Sequence, residues 1–127
     1  QIIDKNSSVS LTEGGTITAI EVMHYKLPVL GFRYKNFTYI TDAKTISPEE
    51  IEKVKGTKIL FINALRRDEH ISHFNLQEAL VFIRIINPER AYLTHISHLM
   101  GKYEEVQQEL PDNVFLAYDG LVLQLEE

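Results

Sequence analysis

The chain has 127 residues, 44% of them apolar and 24% charged, the profile of a globular domain with room for one core but not two. A net charge of −5 without any basic block argues against a non-specific nucleic-acid surface, while leaving a local phosphate site open. With no cysteine, disulfides and thiolate metal sites are excluded, and with no membrane-length apolar run and no visible signal peptide the expectation is a cytoplasmic protein without a membrane partner.

Taken in order, the chain begins with a weakly patterned stretch in which Ile2-Ile3 and Val9–Leu11 read as short edge strands. It opens at Gln1, in what reads as a polar connection, so a fragment of a longer protein is expected, folded as a single domain over 1–127. Thr16–Met23 alternates and is rich in β-branched residues, which predicts a strand delivering His24 at its end. Pro28 interrupts. Val29–Tyr34 and Phe37–Thr41 then read as two strands joined by the polar tip Lys35-Asn36, and Asp42 closes the second. Ser47-Pro48-Glu49-Glu50 has the form of a capping box with proline at the first helical position, and Gly56 ends a helix running to about Lys55.

Lys58–Ile62 is almost continuously apolar, as in a strand buried on both faces, and a polar loop from Asn63 to His73 follows. Asn75 and Glu78 form a second capping signature. Leu76, Ala79, Leu80, Ile83 and Ile86 then fall on one helical stripe, stopped by Asn87-Pro88. With Ala91–Thr94 as the next strand, Lys58–Thr94 is a strand–helix–strand unit, which predicts parallel strands joined by a right-handed crossover. A helix over Gly101–Leu110 and a closing strand pair, Val114–Ala117 and Leu121–Leu125, complete the chain.

The chemistry is positional. His24, Asp42, the Asn63–His73 loop and His95 each follow the carboxyl end of a predicted strand, the edge where ligands collect in α/β sheets. Histidine with carboxylate and no thiolate suits zinc, manganese or iron, and the two oxygens of Asp42 could bridge two ions. Each residue has a plainer reading. A lone histidine after a strand is more often a surface or capping residue, and an aspartate there is more often a turn residue. His70 and His73 fit a solvated loop or a helix cap equally well; His98 fits an outer partner of His95 or a surface position.

A family resemblance rests on several stretches in order. They are Glu21-Val22-Met23-His24 followed by Leu27-Pro28-Val29-Leu30-Gly31, then Tyr39-Ile40-Thr41-Asp42-Ala43, then His70-Ile71-Ser72-His73-Phe74, Leu93-Thr94-His95-Ile96-Ser97-His98 and Ala117-Tyr118-Asp119-Gly120-Leu121. From Ile17 to Leu125 the chain resembles the carboxy-terminal half of a metallo-β-lactamase-fold hydrolase. The nearest branch is the phosphodiesterases related to the carbon–phosphorus lyase pathway enzyme and to tRNase Z. The resemblance implies an α/β fold, about one half of an αββα sandwich, with a mixed sheet and helices on one face. It also implies two divalent metals, zinc or manganese, that activate a water against a small-molecule or nucleotide phosphodiester.

By this resemblance His24 is a ligand of the first metal, Asp42 the bridging carboxylate and His95 the last ligand of the second metal. His73 is the histidine that contacts the phosphate and assists proton transfer. The family's His-x-His-x-Asp-His motif, source of four further ligands, is absent, and His24 is the first histidine in the chain. The isolated chain is therefore expected to bind metal weakly or not at all, to be inactive, and to self-associate through an uncovered apolar sheet face. The rival reading is a non-catalytic binding or assembly module that keeps the fold without that motif.

Overall fold

The computed structural model describes residues 8–10, 16–64, 73–94, 96 and 103–117. They form a seven-stranded sheet and three helices, in the order β1 (Ser8–Ser10), β2 (Thr16–His24), β3 (Leu27–Tyr34), β4 (Phe37–Tyr39), α1 (Pro48–Val54), β5 (Ile59–Asn63), α2 (Leu76–Ile86), β6 (Arg90–Thr94), α3 (Tyr103–Glu109) and β7 (Val114–Leu116). Strand order in the sheet is the order in the chain. The first four strands pair antiparallel and β4 to β7 pair parallel. The expected closing strand at Leu121–Leu125 and the edge strand at Ile2-Ile3 lie outside the described residues.

Local chemistry sets the connections. Two-residue turns join β2 to β3 and β3 to β4, and their first residues, Tyr25 and Lys35, take φ of 57° and 52°. That left-handed sign lets so short a turn follow the right-handed twist of the strands. Ser47 caps α1 by accepting from Glu50 N–H (3.4 Å), but the expected reciprocal half of the box is missing. The Glu50 carboxylate instead accepts from Glu21 N–H on β2 (2.7 Å) and meets Lys53 (2.9 Å), because it is buried under the sheet and must find partners there. At α2 the full box forms between Asn75 and Glu78, and Asn87 closes the helix in the left-handed region, with Pro88 next.

Two strand ends differ from the sequence reading. Pro28 lies inside β3 opposite Met23 rather than before it. Met23 turns its backbone groups the other way: its N–H donates to Thr45 O and its carbonyl accepts from Lys44 and Thr45 N–H, so no bond across to residue 28 is missed. β4 ends at Tyr39, two residues early, since the chain after Ile40 turns to make that bridge to Met23. At Gly31 the two strands approach so closely that a Cβ would stand 2.8 Å from Tyr39 O.

The two faces of the sheet are unlike. Ile20, Val22, Leu60, Ile62, Leu93, Val114 and Leu116 point to one side and bury there against Val54, Ala79, Phe82, Ile83 and Val106 of the helices. Successive crossovers that move in one direction with one hand put the three described helices on that side, as expected. The opposite face carries a straight row of aromatics in register across five strands: Phe32, Tyr39, Phe61, Tyr92 and Phe115. Tyr39–Phe61, Phe61–Tyr92 and Tyr92–Phe115 ring centroids are 5.7, 4.9 and 5.5 Å apart. Tyr92 is only 6% exposed between its neighbours, whereas Phe32 and Tyr39 are 40% and 42% exposed, so the row is open at its β3–β4 end.

Candidate metal-binding site

Strands β2, β4, β5, β6 and β7 all run the same way, so their carboxyl ends share one edge. Three of the singled-out side chains meet there. His24 is the last residue of β2. Asp42 follows β4, with φ of 60°, a conformation that aspartate tolerates better than most residues. His73 lies two residues before the Asn75 cap of α2 and is 9% exposed.

His73 Nε2 is 3.1 Å from Asp42 Oδ1, and the Thr41 hydroxyl donates to Asp42 Oδ2 at 3.3 Å. The His24 and His73 rings meet edge to face with centroids 4.5 Å apart. One ligand atom from each of His24, Asp42 and His73 can be chosen so that all lie within 4.8 Å of one another. Two imidazoles and a carboxylate at that spacing fit a divalent ion of the zinc or manganese kind, whose bonds to such donors are about 2.0–2.2 Å long. His95, His98, His70 and Asp119 lie outside the described residues.

The backbone that carries these residues is tied together. The Met23–Thr45 bridge draws the segment after Asp42 against the end of β2, next to His24. Phe74 N–H donates to Ala43 O (2.8 Å), which couples the residue after His73 to the residue after Asp42. Lys44 Nζ meets both carboxylate oxygens of Glu78 at 2.9 and 2.8 Å, fastening α2 to the same segment. Sequence reasoning gave His73 a role toward the phosphate beside the ligands, and the structure brings it together with Asp42 and His24. It read Glu78 only as a capping residue and passed over Lys44, since two residues 34 positions apart carry no local signal of their pairing.

A family model described as a beta-lactamase superfamily domain matches residues 1–96, and the chain belongs to that family. It is 37% identical over 113 residues to an octanoyltransferase of Porphyromonas gingivalis, a match covering 88% of this chain and 23% of that protein. Among solved structures, a new diphosphatase from the PhnP family superposes with a TM-score of 0.91 at 31% identity, over 95% of this chain and 47% of the other. The short form of human tRNase Z superposes at 0.72 with 22% identity, over 97% of this chain and 48% of the other, a likeness of fold. The chain thus spans about half the length of these two structures and under a quarter of the octanoyltransferase. The expected fold class is the observed one: α/β, part of a metallo-β-lactamase fold.

Proposed function

We propose that the chain carries one side of the metal site of a metal-dependent phosphodiester hydrolase. The observation that carries the reading is the convergence of His24, Asp42 and His73 at one sheet edge. His24 and Asp42 would hold zinc or manganese, with His95 as a further ligand by family resemblance. When bound, such an ion makes hydroxide available from water at neutral pH and offsets charge on an attacked phosphate. The 3.1 Å contact between His73 Nε2 and Asp42 Oδ1 orients the imidazole, and by family resemblance His73 is the group that would turn to the phosphate or supply a proton to the leaving oxygen. Similarity at 31% identity to a diphosphatase supports chemistry at phosphorus. The transferase name of the Porphyromonas gingivalis relative belongs to a chain of which only 23% is matched, so it carries less weight here.

The test uses the intact protein and bis(p-nitrophenyl) phosphate. Hydrolysis is expected to fall by at least tenfold on chelation and to return with zinc or manganese. Hydrolysis that survives chelation, or a metal-loaded protein that does not turn over the probe, sinks the reading; the second result would favour the binding-module alternative.

The aromatic row bears on the isolated 127-residue chain. Its exposed end at Phe32 and Tyr39 presents contiguous apolar surface, and a second copy offers the same surface in return. Light scattering is expected to give a mass above the 14.7 kDa monomer at high concentration, and a monomeric mass there refutes self-association.

A further inference from the structure

We infer that Asn63, the last residue of β5, is a positioning residue that sets Asp42 and His73 against each other. Its side chain is completely buried and grips one residue at both ends. Oδ1 accepts from Ala43 N–H at 2.9 Å, and Nδ2 donates to Ala43 O at 2.8 Å. A side-chain amide is the group whose donor and acceptor match a peptide's acceptor and donor, so the clamp fixes the plane as well as the position of Ala43. Ala43 is itself fully buried and follows Asp42 directly.

The same Ala43 carbonyl also accepts from Phe74 N–H, the residue after His73. Ala43 O is therefore a knot through which the Asp42 segment, the His73 segment and the strand β5 are joined. Asp42 sits at φ 60°, off the extended path of β4, so its own backbone does not hold it there by strand pairing. The clamp on the next residue supplies that restraint. Asn63 reaches neither Asp42 nor His73 in this network; it acts through Ala43, and through Phe74 at one remove.

The inference rests on the proposed metal site for its functional meaning, and its test separates the two. Asn63→Ala and Asn63→Asp are made in the intact protein beside Thr57→Val. Read at a pH where its carboxyl is ionised, the aspartate keeps the acceptor for Ala43 N–H and sets a second oxygen against Ala43 O where the amide had a donor, loosening the clamp without opening a cavity. Thr57 is buried at the other end of the same strand segment, where its hydroxyl bonds Thr38 Oγ1 and Asn36 O, so its loss destabilises the fold away from the site. Zinc affinity is read by competition with a chromophoric chelator. Both Asn63 variants are expected to bind about 10–100-fold more weakly, the range for removing a group that orients a ligand, with Thr57→Val within about twofold of the parent. An Asn63→Asp affinity within twofold of the parent overturns the inference, as does an equal loss in Thr57→Val. A crystal structure of Asn63→Asp reads the clamp without metal. Asp42 Oδ1 and His73 Nε2 parted beyond hydrogen-bond reach supports the assignment, and their contact kept near 3.1 Å refutes it. Should the parent take up no zinc, the proposed function falls and that crystal structure alone decides the role of Asn63.

Discussion

In the intact protein, replacing Asp42 with asparagine is expected to lower metal affinity roughly a hundredfold or more, since even the loss of an outer partner of a ligand costs about 10–100-fold. Hydrolysis of a phosphodiester probe should fall with it. Asparagine is the informative choice because it separates charge from shape. Like aspartate, it accepts the left-handed backbone at position 42 (φ 60°), and its carbonyl oxygen can still accept from the Thr41 hydroxyl. What it lacks is the negative charge that draws a cation. Alanine would mix in a backbone penalty of about 1 kcal/mol at that φ and blur the result. The thermal midpoint of Asp42→Asn should therefore stay within a few degrees of the parent. An affinity within tenfold of the parent would remove Asp42 from the ligand set.

The largest effect on stability is expected in the middle of the parallel half of the sheet. Ile62 is completely buried on β5, between the paired strands β4 and β6 and under the helices. Ile62→Ala removes three carbons from a place where no surface side chain can swing in, and about 2–5 kcal/mol of stability should go with them. At roughly 4 °C per kcal/mol, the thermal midpoint of the 127-residue chain falls by about 8–20 °C. Ile85→Ala on the outer side of α2 is the comparison: Ile85 is 52% exposed, and its loss should cost far less. Equal losses in the two variants would mean that the core does not lie between the sheet and the helices.

Much of this fold is legible in the sequence because its local signals agree with its packing. The Asn75–Glu78 box, the Asn87-Pro88 stop and the apolar stripe between them define α2 almost to the residue. The stripe also shows where local reading loses precision. Phe82 is buried in the core and Leu80 only partly so, a small rotation that depends on what the helix packs against. Glu50 looks like a capping residue by spacing, yet it turns to β2, because a buried backbone N–H there needs an acceptor. At the site, strand-end placement singles out His24 and Asp42 and the family resemblance adds His73, but neither gives their mutual contacts, which depend on how Ala43 is held. The signal for Asn63 is faint but present: a strand that is apolar on both faces ends in a side chain that cannot be buried without partners. Nothing local says that the partner is 20 positions upstream.

The sheet's order has a consequence for how the molecule is made. Each strand lies beside the one synthesised just before it, from β1 through β7. Among the described residues no strand has to be threaded between two that are already joined, and each crossover helix closes only the short loop between neighbours. The sheet can grow at one edge as the chain leaves the ribosome, burying each helix as it arrives. In that sequence the knot at Ala43 closes once β5 and the start of α2 are in place, before β6, α3 and β7 exist. The His24–Asp42–His73 cluster can thus be assembled early, and the later strands then add to a sheet edge whose position is already set.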